Sequence, residues 1–271
     1  LHLSIRRQRQ MCIRDSDRGA VWVGHFQAGL DYSLYQNGLF RTYAYPPLFN
    51  SANLSIRSFV NRGQEKVIGS RDGLFYINEA TGVVKSFVKP VLTSDLILTI
   101  SFYQGEYYIG TYGGGMMVLN PGTLSLKYFA QGDTELFQKG HIFCVKPDAK
   151  GNLWIGTSQG LFCYNGQTKQ IKHFTSANSQ LPEGNVYEVS FDSTGKGWIA
   201  TETGMCIYDP ASQSLRSNVF PEGFVHRDKV RTIYEDAGHN LYFIREKGSL
   251  FTSTLTMDRF QNRSIFSTLP D

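Results

Sequence analysis

Three patterns in the sequence have residue types that could support catalysis or metal binding. Gly156-Thr-Ser-Gln-Gly160 has the Gly-x-Ser-x-Gly spacing of a nucleophilic serine, which would be Ser158. Asp148, Asp192 and Asp236 recur at an even spacing, and a pair of carboxylates that face one sugar could hydrolyse a glycosidic bond. Histidines could bind a metal, and the six in this chain are His2, His25, His141, His173, His226 and His239. Each chemistry needs a particular fold around these residues.

The serine and the three aspartates fall inside an internal repeat. Six segments share one phrase, exemplified by Asp-Ala-Lys-Gly-Asn-Leu-Trp-Ile-Gly-Thr-Ser-Gln-Gly-Leu-Phe-Cys-Tyr at 148–164. The others span 17–30, 62–77, 103–119, 192–208 and 236–251. The equivalent central positions are Gly24, Gly69, Gly110, Gly156, Ala200 and Ile244, at steps of 45, 41, 46, 44 and 44 residues. A repeat of about 44 residues is typical of a propeller blade.

Each repeat predicts four short strands, which we name A to D. In the fourth repeat, strand A is Ile142–Val145, strand B is Leu153–Thr157 and strand C is Gly160–Tyr164. Strand D has an aliphatic-Lys-x-Phe pattern, as in 171–174, whose lysine should face solvent and discourage edge pairing. Aspartate at the first and glycine at the fourth position of the turn between strands A and B favour a type I turn. Trp22, Trp154 and Trp198 share one position in strand B, which predicts a packing role.

The predicted fold is all-β, a β-propeller of about six four-stranded blades that forms a truncated part of a larger propeller. A lone blade cannot bury both faces, whereas blades stacked around an axis can. We place the blades at approximately 17–50, 51–92, 93–137, 138–181, 182–226 and 227–271. Residues 1–16 match the repeat poorly and are interpreted as a non-native or disordered leader. The alternative is a divergent strand A of blade 1 that contains Cys12 and Ile13.

The repeat argues against a nucleophilic serine, a pair of catalytic carboxylates and a metal site. A nucleophilic serine needs a strand–turn–helix elbow, but Ser158 falls in a predicted hairpin, and the sequence indicates no helix. The recurring aspartates are interpreted as turn residues. No histidine pair has the spacing of a zinc motif, although His25, His141 and His226 should lie near one face. We therefore predict no catalytic residue, no metal site and no cofactor in this segment.

Charge and cysteine content exclude other functional classes. The net charge of +4 arises largely in residues 1–18, since the remainder has 22 basic and 21 acidic side chains. This balance gives no reason to expect nucleic acid or an anionic membrane as a partner. The four cysteines have no Cys-x-x-Cys spacing, and no apolar run is long enough for a membrane helix. Contact with a membrane is expected only through segments outside this chain.

The repeat phrase resembles the two-component regulator propeller repeat. The resemblance rests on 148–165 and its copies at 17–30 and 192–210, and on the link Leu181-Pro-Glu-Gly-Asn-Val186. It covers about 17–271, is weaker in blades 2 and 3, and is degraded in blade 6. The resemblance implies the periplasmic, ligand-sensing part of a hybrid histidine kinase of glycan-degrading Bacteroidetes-type bacteria. It also implies an oligosaccharide ligand, the rest of the sensor kinase chain as a partner and a homodimer as a further candidate.

Loop variation indicates where a ligand would bind. Because the strands alternate in direction, the D–A connections and B–C turns share one face, and both vary between repeats on a fixed scaffold. Sugars present hydroxyls for polar groups and an apolar face for aromatic stacking. We predict that Tyr112 stacks on a sugar, and the predicted hydroxyl-binding residues are Arg71, Asp72, Gln159 and Glu202. The alternatives are a propeller that binds a polypeptide and, with less support, a propeller lyase.

Overall fold

A computed structural model describes most of the repeat region. The backbone is described for residues 10–15, 20–25, 29–34, 40–42, 55–129, 134–217, 230–236, 239–245, 250–254 and 260–262. Side chains are described for residues 55–129, 135–217, 230–236, 239 and 241–243. The chain divides into two compact units, residues 1–141 and 142–271, and each is considered by itself.

The first unit contains three four-stranded antiparallel sheets in its described part. Blade 1 comprises β1 (Gln10–Asp15), β2 (Ala20–His25), β3 (Gly29–Leu34) and β4 (Phe40–Thr42). Blade 2 comprises β5 (Ile56–Arg62), β6 (Glu65–Ser70), β7 (Leu74–Asn78) and β8 (Val83–Phe87). Blade 3 comprises β9 (Ile97–Tyr103), β10 (Glu106–Thr111), β11 (Met116–Asn120) and β12 (Ser125–Tyr128), and helix α1 (Thr134–Lys139) follows it.

The second unit repeats this organisation with three more four-stranded sheets in its described residues. Blade 4 comprises β13 (Ile142–Pro147), β14 (Asn152–Thr157), β15 (Gly160–Asn165) and β16 (Ile171–Phe174). Blade 5 comprises β17 (Val186–Phe191), β18 (Gly197–Thr201), β19 (Met205–Asp209) and β20 (Ser214–Arg216). Blade 6 comprises β21 (Val230–Glu235), β22 (Asn240–Arg245), β23 (Leu250–Thr254) and β24 (Phe260–Asn262).

Strand β1 lies within residues 1–16, which were predicted to be a non-native or disordered leader, so that prediction is wrong for residues 10–15. Cys12 pairs with Gly24 and Ile13 with Val23, in the register that Cys144 and Gly156 adopt in blade 4. Residues 10–15 therefore form strand A of blade 1, and this blade begins before residue 17. The sequence did not indicate this strand because the arginines around its apolar residues weaken the hydrophobic pattern. Residues 1–9 lie outside the described part of the chain.

Helix α1 is a second correction, because the sequence indicated no helix. It lies in the connection between blades 3 and 4, where Leu136 and Phe137 are 1% and 0% exposed. The ring of Phe137 lies 5.0 Å from that of Phe129 at the end of blade 3. A six-residue helix is too short to establish a helical period in the sequence, so its two buried residues could not reveal it.

The recurring aspartate and tryptophan act together in the A–B turn. Asp148 Oδ1 accepts the backbone N–H groups of Lys150 and Asn152, and its Oδ2 accepts the indole N–H of Trp154 at 2.9 Å. Asp192 holds its own turn in the same way and accepts the indole N–H of Trp198 at 2.7 Å. Both indoles are buried. The turn role of these aspartates and the packing role of these tryptophans are confirmed.

Gly156 allows close contact between blades 4 and 5. A Cβ atom at this position would lie 2.5 Å from Cys144 Sγ and 2.7 Å from the Val186 carbonyl oxygen. We expect Gly156→Ala to lower the free energy of unfolding by about 1–2 kcal/mol because either neighbour must move. Urea denaturation should show this loss, whereas Gly122→Ala, at a site with an ordinary 3.4 Å contact, should cost much less. Equal losses in both variants would contradict this account of the glycine.

The chain has buried thiols, and we expect them to make the folded state less stable at alkaline pH. Burial raises the pKa of Cys144 to about 12, and burial also raises the pKa of Cys206. The unfolded thiols ionise above their ordinary pKa of about 8.5, while the folded thiols stay protonated. Deprotonation therefore favours the unfolded chain, and stability should fall as pH rises from about 8.5 towards 12.

Urea denaturation at neutral pH and near pH 9.5 checks this pH dependence. In the double variant Cys144→Ala, Cys206→Ala, the difference between the two pH values should shrink. The prediction is wrong if the double variant loses as much stability between the two pH values as the parent chain.

Candidate functional site

A β-bulge interrupts strand A of each blade near its start, in the strands that the structure describes. In blade 4, Ile142 pairs with Thr157 and Cys144 with Gly156, so Phe143 has no partner of its own on β14. A bulge re-aims a side chain, and bulges are frequent beside binding sites. The bulged residues are Met11, Arg57, Leu98, Phe143, Tyr187 and Arg231.

The bulges lie at the end of each blade where the B–C turn also lies. The pairing places the bulge beside the last residues of strand B, immediately before the turn. The bulged residues of these strands therefore lie at the face predicted from the sequence for ligand binding. The opposite ends of strands A and B are joined by the aspartate turns.

A buried hydroxyl residue fixes the backbone of each described B–C turn. In blade 4, Thr157 is 0% exposed, and its Oγ1 donates to the Gly160 carbonyl at 2.8 Å and accepts the N–H of Gln159 at 3.0 Å. The equivalent residues, also 0% exposed and bonded to a glycine carbonyl, are Ser70, Thr111 and Thr201. Because the buried hydroxyl fixes the turn backbone, substitutions of the exposed residues at the tip can change the surface without changing the backbone of the turn.

Three bulged residues of the second unit form a continuous surface, which we call the bulge row: Phe143, Tyr187 and Arg231. The rings of Phe143 and Tyr187 pack edge to face with centroids 5.1 Å apart. The guanidinium carbon of Arg231 lies 4.5 Å from the centre of the Tyr187 ring, within the range of a cation–π contact. Both rings are half-buried and Arg231 is exposed, so the row presents aromatic and cationic surface to solvent.

Glu202 and Gln159, two predicted binding residues, have different surroundings in this unit. Glu202 is half-buried, and its Oε2 accepts the backbone N–H of Asn185 at 3.4 Å. The side chain of Asn185 in turn donates to the hydroxyl of Tyr187 at 3.1 Å, which connects Glu202 to the bulge row. Gln159 is exposed, and its carbonyl contacts His173 Nε2 at 2.9 Å. Binding by either residue stays a prediction.

In the first unit, Arg71 and Asp72 form the tip of the blade 2 turn, and both are exposed. Tyr112 forms the corresponding tip of blade 3 with 51% of its surface exposed. Its ring stacks on His141 with centroids 4.0 Å apart and an interplanar angle of 23°, so one face of the ring already has a partner. A sugar would have to use the remainder of the ring. Stacking by Tyr112 and hydroxyl binding by Arg71 and Asp72 stay predictions.

The bulged residues were missed in the sequence analysis, although a signal for them exists. In a regular strand the buried positions recur every second residue. In strand A the buried pairs are instead three residues apart. These pairs are Ile56 and Phe59, Ile97 and Ile100, Ile142 and Val145, Val186 and Val189, and Val230 and Ile233. The extra residue in this spacing marks a bulge.

The structure shows where the serine and the histidines that suggested catalysis or metal binding lie. Ser158 lies in the two-residue turn between β14 and β15, so it belongs to a hairpin as predicted. Among the described residues no cluster of three or more metal-binding side chains occurs. His25, His141 and His226 were predicted to lie near one face. The side chains of His25 and His226 are outside the described part of the chain. In that same part of the chain, every helix is too short or too polar to cross a membrane.

Comparison with known proteins identifies the repeat. A sequence model of the two component regulator propeller family matches residues 137–159, which include the whole of strands β13 and β14. Residues 137–159 are therefore similar to the two component regulator propeller repeat. The chain has no detectable sequence match among curated proteins.

Solved structures support the fold. The extracellular domain of BT3049 from B. thetaiotaomicron, named as a hybrid two component system, has 25% identity and a TM-score of 0.69 over 89% of this chain. The extracellular domain of BT4673 from the same organism, also named as a hybrid two component system, has 16% identity and a TM-score of 0.74 over 97%. The chain spans 33% and 34% of those two solved chains, about a third of each.

A third similar structure comes from a different kind of protein. The Cps50 (Swd1) β-propeller domain from Myceliophteria thermophila has 11% identity and a TM-score of 0.66 over 93% of this chain and 85% of its own. At that identity the likeness concerns the fold alone. The predicted fold class, an all-β propeller of about six four-stranded blades, is confirmed for the described part of the chain.

Proposed function

We propose that this chain is the extracytoplasmic, ligand-sensing part of a two-component sensor, and that it binds an oligosaccharide. The bulge row carries this proposal. Two adjoining aromatic rings and a guanidinium form a half-exposed surface that suits the apolar face and the hydroxyls of a pyranose. The likeness to extracellular domains of hybrid two component systems supports a sensor role.

We further propose the surroundings in which the chain works. Its compartment is the periplasm, and its partners are the rest of the sensor kinase chain and a second copy in a homodimer. Signalling is a shift between two arrangements of the blades, which a ligand can bias only by binding one of them more tightly. This segment takes part by binding and not by catalysis.

Titration calorimetry of the chain against plant and host oligosaccharides tests the sugar proposal. The expected result is saturable binding of at least one oligosaccharide and weaker binding by a Tyr187→Ala variant. A polypeptide ligand is the second candidate, and pull-down from a periplasmic extract distinguishes the two. The proposal fails if no oligosaccharide binds the folded chain, or if an oligosaccharide binds equally well without the Tyr187 ring.

A further inference from the structure

Arg57 is the bulged residue of blade 2 and lies at the predicted binding face. Its side chain is half-buried, and the Nε atom is buried without a hydrogen-bond acceptor. No ion pair to Arg57 occurs among the side chains that the structure describes. A buried guanidinium donor without an acceptor is costly, and such a group commonly has a functional reason.

Arg71 brings a second positive charge to the same place. It occupies the B–C turn of blade 2, and its backbone N–H donates to the Ser55 carbonyl at 2.9 Å, two residues before Arg57. Burial lowers the pKa of Arg57, and the nearby charge of Arg71 lowers it further. Both guanidinium groups remain charged at neutral pH because arginine is effectively always protonated. Two like charges are therefore held close together.

Ser55 links the two arginines to one corner of blade 2. It is 2% exposed, and its Oγ makes no hydrogen bond within the described residues. The carbonyl of Ser55 holds the Arg71 turn, so the hydroxyl belongs to the same corner of blade 2. The guanidinium groups of Arg57 and Arg71 offer N–H donors at this corner, and oxyanions accept hydrogen bonds from such groups.

We propose that Arg57 and Arg71 bind an oxyanion, namely the carboxylate or sulfate group of an acidic saccharide. The saccharide part of this statement rests on the proposed function. The site itself rests on the two guanidinium groups that the bulge and the B–C turn bring to one corner of blade 2. An oxyanion between the two arginines neutralises their repulsion and accepts hydrogen bonds from their guanidinium N–H groups. The bulge aims Arg57 at this position, which a regular strand would not do.

Titration with sodium sulfate tests the site without a sugar. At constant ionic strength set with sodium chloride, the folded chain should bind sulfate saturably, and sulfate should raise its melting temperature. Arg57→Gln and Arg71→Gln should each weaken sulfate binding by about tenfold, the effect of about 1.4 kcal/mol. Arg216→Gln changes the net charge equally at an exposed strand in the second unit and should bind sulfate like the parent chain.

A stability measurement distinguishes a binding role from a structural role. Because Arg57 is a partly buried charge beside a like charge, Arg57→Gln should melt at the same temperature as the parent chain or higher. A structural arginine would show the opposite change. A lower melting temperature, or sulfate binding that neither Arg57→Gln nor Arg71→Gln weakens, overturns the proposed site.

A second titration distinguishes binding of the anionic group from binding of the saccharide that carries it. Trigalacturonate should bind more tightly than inorganic sulfate or acetate, and Arg57→Gln should remove most of that gain. If the inorganic anions bind at Arg57 but neither trigalacturonate nor any neutral oligosaccharide binds, the oxyanion site stands and the oligosaccharide function fails. The absence of binding by every anion overturns the oxyanion site and leaves neutral-sugar binding at the bulge row to its own test.

Discussion

Tyr187→Ala is expected to weaken oligosaccharide binding by about thirtyfold, close to 2 kcal/mol. Tyr187 is the central residue of the bulge row, where it contacts Phe143 on one side and Arg231 on the other. Its loss removes the stacking surface and also releases the guanidinium of Arg231 from its position. Titration calorimetry with the saccharide that binds the parent chain measures this loss.

Two variants control for the other contributions of Tyr187. Tyr187→Phe keeps the ring and removes only the hydroxyl that bonds Asn185, so its affinity should fall less than threefold, within about 0.6 kcal/mol. Tyr234→Ala removes another exposed tyrosine, which lies towards the opposite end of strand A in blade 6, and should leave affinity unchanged. Equal losses for Tyr187→Ala and Tyr234→Ala would show that the effect is not local to the bulge row.

Asp192→Ala is expected to lower the free energy of unfolding by about 3 kcal/mol. The carboxylate is 6% exposed and accepts the backbone N–H groups of Thr194 and Lys196 and the indole N–H of Trp198. Without it, the indole donor is left buried without an acceptor, and the turn loses the group that orders it. Urea denaturation measures the loss.

A double-mutant cycle tests whether Asp192 acts through Trp198. Trp198→Phe removes the indole donor, so Asp192→Ala should cost less in that background, with a coupling of about 1–2 kcal/mol. Asp72→Ala, in an exposed turn tip, serves as a matched control and should change stability by less than about 0.5 kcal/mol. Additive effects of the two substitutions would contradict the proposed link between turn and indole.

The blades could be predicted from the sequence because their determinants are local. An aspartate at the start of the A–B turn, an indole six residues later and a lysine in strand D recur where the structure needs them. Lys85, Lys127 and Lys172 all prove to be exposed, as the edge-strand pattern predicted. Each of these residues acts within its own blade, so the repeat alone reveals its role.

The candidate site was harder to predict because it depends on contacts between blades. The exposed tips Arg71, Asp72, Tyr112 and Gln159 follow from loop position alone. The contact of Tyr187 with Phe143 and Arg231 does not, since these residues are more than 40 positions apart along the chain. The repeat aligns the three residues, but only the bulge in each strand A brings their side chains into one row.

Hydrogen exchange of the chain with and without its oligosaccharide tests the central claim most directly, because that claim concerns which face binds. The account predicts slower exchange on binding in residues 183–188 and 230–232, which contain the bulges of blades 5 and 6. Residues 148–152 and 192–196, the aspartate turns at the opposite ends of the strands, should exchange as before. Protection of the aspartate turns with none at the bulges would contradict the account.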